Sequence, residues 1–431
     1  MSDPRSAEAE VEEHRRRLRR DVVWNLAPVV LLGVVGLGLN FLIGGWWGPS
    51  ALGAFNLVTT GFMALAVLGA GGLQFAVLRA IAEEPEDRAR VAAVVVGALI
   101  PNVVFAAIAT AVFVAIRHPL GALLDSEPVA IGMLWAAPGL FCFAINKVLL
   151  GVVNGQRRMR AFAVYTCLRY TLIAVGLLVA RAIEMPADQL PVIWTFAEGG
   201  LLLVLIGELL VTVKFGDSGG WRTWMKRHID YGARSVLSTL AYEVNSKLDV
   251  WMLGVALPDA QVGVYSLASA LFEGVMQLAI VVQNNLNPLL ARNLAAHRPA
   301  EVVAIVRRAR RWFVPLMVSC CALGAALYPV VIPWVIGNAA FAEGTIPFAI
   351  MMAGVALASP YLPFAQLLLM ASRPGWHTVY VLLTVVVAFV VNLALIPTLG
   401  LAGAATATAS GVIASAVLLR VMVRFRLEIR I

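Results

Sequence analysis

From residue 22 onward the chain alternates long apolar runs with short breaks rich in Gly, Pro or basic residues. Twelve runs reach about 20 residues, the length that crosses a bilayer as a helix. They lie near 22–45, 51–78, 91–116, 128–152, 161–182, 191–213, 231–256, 261–290, 312–336, 346–371, 377–396 and 401–423. The pattern predicts an all-α, polytopic membrane protein of about 12 transmembrane helices. Residues 1–20 read as a soluble tail, acidic from Glu8 to Glu13 and basic from Arg15 to Arg20. Interior prolines such as Pro101, Pro138 and Pro315 predict kinks, which membrane helices tolerate because neighbours re-satisfy the freed carbonyls.

Polar positions break the apolar pattern most sharply between Tyr231 and Arg292. Glu243, Asn245, Lys247 and Asp249 interrupt one run, and Glu273 and Gln277 interrupt the next. A charge at a bilayer centre costs about 2.5–3.5 kcal/mol on insertion scales, so it pairs with another group or faces a wet path. Glu243 and Lys247 are at i, i+4 with the acid first, the favourable order for a pair on one helix face. Asn245 and Asp249 share the roughly opposite face. Elsewhere Lys147, Arg169, Glu198 and Glu208 also fall within spans. Lys147 is about one turn from a span end and can snorkel. Arg169 is deeper, and Glu208 is near its depth, so an Arg169–Glu208 or Lys147–Glu208 pair is one expectation and contact with substrate the other. Glu198 and Glu273 show no evident partner. Three bases against five acids leave the intramembrane charge formally negative.

Composition agrees with the pattern and adds an exclusion. Hydrophobic residues make up 61% and charged residues 13% of the chain; soluble domains carry about 25% charged residues, so a water-soluble surface cannot be assembled. The four cysteines sit in apolar runs without metal-ligand spacing. The formal net charge of +8 reads as loop bias rather than as nucleic-acid binding. With the N-terminus inside, alternate loops on the inner side hold 28 of the 33 Lys and Arg residues, and the outer loops hold only Arg117 and Arg181. That asymmetry fits twelve spans with both termini cytoplasmic, in a cell membrane.

The chain also repeats. Leu52-Gly-Ala-Phe-Asn-Leu57 follows the first span and Val262-Gly-Val-Tyr-Ser-Leu267 follows the seventh, with Gly53 and Gly263, Phe55 and Tyr265, and Leu57 and Leu267 each 210 positions apart. Six spans followed by six of the same polarity form a parallel repeat. The expected organisation is a tail (1–20), a six-helix lobe (21–213), a cytoplasmic linker (214–230), a second six-helix lobe (231–423) and a short C-terminal tail (424–431), with the lobes around a central cavity.

Several runs resemble the polysaccharide-transporter family of oligosaccharide-lipid flippases, within the multidrug/oligosaccharidyl-lipid/polysaccharide exporter superfamily. They are Asn245-Ser-Lys-Leu-Asp249 with Leu253-Gly254, the two repeated motifs, Asn287-Pro-Leu-Leu-Ala-Arg292, Gly151-Val-Val-Asn-Gly-Gln156, and Asn392-Leu-Ala-Leu-Ile-Pro397 leading into Gly400-Leu-Ala-Gly-Ala-Ala405. The resemblance implies a flippase that carries a polyprenyl-diphosphate-linked sugar or oligosaccharide to the outer leaflet by alternating access, for cell-surface polysaccharide synthesis. It implies membrane lipids, the lipid-linked glycan and glycan polymerases or glycosyltransferases as partners. A diphosphate needs cationic or donor groups at depth, which makes Lys247, Arg169 and Lys147 candidates. Glu243, Asn245, Asp249, Glu273, Gln277, Asn40 and Asn56 are further cavity candidates. Glu198, Glu208 and Glu273 offer coupling to Na+ or H+. No Walker loop, nucleophile–base pair or metal cluster is legible, so neither an enzyme nor a bound cofactor is expected. A cation-coupled multidrug exporter of the same superfamily and a non-transporting scaffold of a glycan assembly system remain as alternatives.

Overall fold

A computed structural model describes residues 28, 30–84, 86–213 and 219–427, without the side chains of residues 237, 238, 241, 242 and 244–246. The expected tail at 1–20 and most of the one at 424–431 lie outside these residues. The described chain contains helices and turns and no strand. The helices are α1 (Val30–Trp46), α2 (Pro49–Ala70), α3 (Leu73–Glu83), α4 (Arg88–Ala115), α5 (Arg117–Leu123), α6 (Glu127–Gly155), α7 (Met159–Ala182), α8 (Val192–Thr212), α9 (Trp221–Ser246), α10 (Leu248–Ala256), α11 (Asp259–Ala295), α12 (Pro299–Ile336), α13 (Thr345–Ala358), α14 (Leu367–Met370), α15 (Pro374–Leu399) and α16 (Leu401–Arg426).

Among the described residues, ten helices are long and apolar enough to cross a membrane. The other two expected spans are the shorter α1 and the broken pair α9–α10. Large apolar side chains face outward along these helices, including Leu203, Leu210 and Val211 on α8 and Leu323, Val330 and Trp334 on α12. In water such faces would be a liability; in lipid they are the ordinary exterior, since lipid tails are as apolar as Leu. The chain is a multi-pass membrane protein.

Three expected spans are interrupted. The span at 51–78 divides into α2 and α3 at Gly71 and Gly72, which hold φ of +58° and +69°. A side chain at either position would be strained, and a Cβ on Gly72 would also overlap Ser235 and the Gly232 carbonyl of α9. The span at 346–371 divides into α13, a 3-10 turn at Leu362–Phe364 and α14, beside Pro360 and Pro363. The span at 231–256 breaks at Lys247, whose φ of −131° is not helical. Helix starts follow ordinary capping chemistry. Asp87 accepts from the Arg90 backbone N–H at 3.0 Å, and Ser126 accepts from that of Val129 at 3.4 Å, just ahead of a proline.

The chain divides into two compact units. One comprises 1–39 and 57–246, the other 40–56 and 247–431. The division after Ser246 falls at the α9–α10 break rather than in the expected linker at 214–230. In the first unit α6 is central and packs against α3, α4 and α8, around Leu73, Val94, Val95, Ala144, Val148 and Leu201, all fully buried. In the second, α16 packs against α13 and α15. There the motifs of the repeat meet each other. A Cβ on Gly53 would overlap the Asp259 carbonyl, and one on Gly263 would overlap the Pro49 carbonyl. Pro49 and Asp259 are themselves 210 positions apart, so the contact is reciprocal, as a two-fold relation between repeats requires.

Candidate functional site

The intramembrane charges form one group in each unit. In the first unit, Arg169 on α7 places its Nε 2.8 Å from Glu198 Oε1, and its Nη2 donates to Oε2 at 3.1 Å. Asn146 on α6 donates through Nδ2 to the same Oε2 and to the Glu198 backbone carbonyl, both at 2.9 Å. Glu198 is fully buried, and the Arg169 side chain is 11% exposed. The guanidinium also lies 4.8 Å from the centre of the Phe143 ring, which Lys147 approaches to 5.2 Å. Glu243, Arg169 and Glu198 are the charged groups acting on Lys147. Two bases and two acids thus balance each other within one packed region.

Glu208 belongs elsewhere. It accepts from Tyr165 at 2.8 Å and pairs with Arg158, not with Arg169 or Lys147 as expected. The reason is the antiparallel run of α7 and α8. The two observed pairs share one antiparallel register, Arg169 with Glu198 and Arg158 with Glu208. Glu208 is about three turns further along and meets the start of α7, where Arg158 and Tyr165 lie.

In the second unit, Lys247 sits at the break between α9 and α10. Its Nζ is 2.6 Å from Glu273 Oε1 on α11, with side chains 37% and 48% exposed. The helix that carries Glu243 ends at Ser246, and the ammonium reaches Glu273 on a different helix. Gln277, one turn on from Glu273, is exposed on the same face of α11. Asp249 takes two bonds, from the Val250 backbone N–H at 2.9 Å and from the Tyr265 hydroxyl at 2.7 Å. Tyr265, wholly buried, also lies 3.0 Å from Thr408 Oγ1 on α16. Asp249 is thereby held in a contact among three helices. Asn56 donates to Asn40 at 3.1 Å, so these two candidates bind each other. The side chain of Asn245 lies outside the described residues. Among the described residues, no group of three or more His, Cys, Asp or Glu could hold a metal ion.

Six participants were not among the expected residues: Asn146, Phe143, Arg158, Tyr165, Tyr265 and Thr408. Two had a legible signal. Asn146 adjoins Lys147 in an otherwise apolar run. Tyr265 occupies the position that Phe55 holds in the first repeat, and its hydroxyl is the difference.

A family model described as polysaccharide biosynthesis protein matches residues 18–294. The chain belongs to that family. Its fold is that of transporters of the multidrug/oligosaccharidyl-lipid/polysaccharide exporter superfamily. The structure superposes on an inward-facing multidrug resistance MATE family transporter with a TM-score of 0.73 at 16% identity, over 95% of this chain and 98% of that one. On the lipid II flippase MurJ in an inward closed conformation it scores 0.70 at 12% identity, covering 94% and 87%. On a Vibrio cholerae MATE transporter it scores 0.61 at 13% identity, covering 95% and 97%. No curated protein matches the sequence. At these identities the structural likenesses establish the fold, while the family rests on the sequence match.

Proposed function

We propose that this member of the polysaccharide biosynthesis family is a flippase. It moves a polyprenyl-diphosphate-linked sugar or oligosaccharide from the inner to the outer leaflet by alternating access. The observation that carries this reading is the half-exposed Lys247–Glu273 pair at a helix break within a span. Charges in a span are not left facing lipid, so an exposed pair faces a water-filled space. A wet space with a mobile ammonium suits a substrate with a polar glycan and an anionic diphosphate. The ammonium carries three rotatable donors, which a phosphate can share with, or take from, the Glu273 carboxylate. Glu273 then carries the balancing charge, by accepting a proton or a cation. The fold likeness to a lipid II flippase supports a lipid-linked cargo, and the family description supports a role in glycan assembly.

A second reading is a cation-coupled multidrug exporter, favoured by the likeness to MATE transporters and by the excess of intramembrane acids. Leaflet-resolved transport in proteoliposomes separates the two. The parent is expected to move a lipid-diphosphate sugar, and Lys247→Ala to slow it by about tenfold or more, as loss of a charge-assisted contact would. If the parent moves hydrophobic cations and not the sugar, the exporter reading replaces this one. If Lys247→Ala matches the parent on the sugar, the flippase reading stands and the site assignment falls.

A further inference from the structure

A second group of charges lies at the end of the first unit where the basic loop residues gather. Here α3, α4 and α9 enclose a cavity of about 480 Å3 lined by Arg79, Glu83, Arg90, Trp224, Arg227, His228, Tyr231 and two alanines. Close packing builds it. A Cβ on Gly97 of α4 would come within 2.6 Å of the Trp221 carbonyl oxygen and 2.9 Å of the Met225 nitrogen, so α9 rests directly on α4. Trp224 is the hub. Arg90 and Arg227 each lie over its indole, at 5.2 and 5.1 Å, and His228 stacks on it with ring centres 5.7 Å apart.

The polar groups of this cavity are not all used. Glu83 is its lone carboxylate against three guanidiniums. It takes Arg90 Nη2 at 2.7 Å and lies 3.6 Å from Arg79; Glu84 also pairs with Arg90. Arg227 has no carboxylate partner among the described residues. Two nitrogen atoms on the walls, Arg90 Nε and His228 Nε2, are buried without a hydrogen-bond partner. His228 is only 2% exposed. Of the two, Arg90 Nε is a donor; a buried N–H without a partner costs about 1–3 kcal/mol, and an oxygen-rich anion in the cavity would accept from it.

We propose that this cavity binds a phosphate ester. Planar guanidiniums match phosphate oxygens with paired donors, and three of them against Glu83 and the neighbouring Glu84 leave a net positive charge. The start of α9, Trp221-Arg-Thr-Trp-Met-Lys-Arg-His228, combines tryptophans with basic residues, as segments at a membrane surface do. An anionic phospholipid headgroup therefore fits the surroundings, and a soluble phosphate ester fits the same donors. The site uses none of the residues assigned to transport, so it stands or falls independently of that reading.

The test uses the delipidated full-length protein. Native mass spectrometry follows retention of phosphatidylglycerol against phosphatidylcholine, and calorimetry follows glycerol phosphate. Arg227→Gln and Arg79→Gln alter exposed side chains and leave the fold in place. Arg222→Gln, on the same helix but outside the cavity, is the control. Retention of phosphatidylglycerol is expected to fall about tenfold in the two arginine variants, the scale of a lost charge-assisted bond, and to stay unchanged in the control. The same dependence seen with glycerol phosphate and not with lipid assigns the site to a soluble ester. Equal losses in the Arg222→Gln control, or no selective binding of either probe, overturn the proposal.

Discussion

The two charge groups inside the membrane spans are built from similar parts and arranged differently. Arg169 and Glu198 are sealed among α6, α7 and α8, with Asn146 donating to the same carboxylate oxygen, Oε2, that accepts from Arg169 Nη2. Lys247 and Glu273 form an ion pair at a helix break, each more than a third exposed. A buried ion pair with a supporting amide holds one arrangement, because any alternative strands a charge in a medium of low dielectric. A half-exposed pair can open, since water replaces each partner at small cost. The first arrangement suits a fixed scaffold and the second a site that exchanges partners. On the proposed flippase reading, this contrast favours a structural role for Arg169 and keeps Lys247 as the proposed cation for substrate.

The sharpest way to break that contrast is to remove one member of the sealed group. Glu198→Ala leaves the Arg169 guanidinium buried without its acid and should cost about 3–5 kcal/mol, read as a lower thermal midpoint in detergent. Replacing both partners, Arg169→Met with Glu198→Leu, should recover most of that loss, because the stranded charge is gone. A Glu198→Ala protein as stable as the parent would mean that the group is wetter than its burial indicates.

His228 tests the same principle outside the membrane spans. Burial pushes its pKa down to about 4 from an ordinary 6.5, against a backbone hydrogen bond at Val94 that acts upward. Between those values the unfolded chain binds more protons than the folded one, so stability rises with pH across the window. It is complete above pH 6.5 and declines by about 3 kcal/mol as the pH falls to 4. Unfolding curves measured from pH 7 to 4.5 should show this slope in the parent and a flatter one in His228→Phe.

The spans were legible because apolar runs of membrane length need no partner to be recognised. The break at Gly71–Gly72 was written locally in two residues that accept positive φ. The break at Lys247 was not, since neither Gly nor Pro stands there and the local pattern is that of an unbroken helix. Depth along a span was legible too, which brought Arg169 and Glu208 together on paper. Their true partners depend on how α7 and α8 run past each other. Arg169 with Glu198 and Arg158 with Glu208 keep one antiparallel register, offset by about two turns from an equal count on either side of the connection. The role of Tyr265 needed a third helix, α16, far along the chain, and spacing within one segment carries no trace of it.

The open pair predicts an effect on transport with little effect on stability. Lys247→Ala should shift unfolding by less than about 1 kcal/mol while slowing transport; a large loss of stability would place Lys247 with the scaffold.

The smallest effect separates the two repeats. Each joins its first two helices by a polar contact 16 residues apart, Asn56 to Asn40 in one and Tyr265 to Asp249 in the other. The amide pair is neutral and only partly buried, and polar contacts between membrane helices average about 0.6 kcal/mol. Asn56→Leu should therefore cost about that much. Tyr265→Phe should cost more, about 1–3 kcal/mol, because it removes a donor from a carboxylate inside the protein. Thermal midpoints of the two variants, compared in the same detergent, read the difference directly. Equal shifts would mean that Asp249 is hydrated through another route, which would return it to the wet face shared by Lys247 and Glu273.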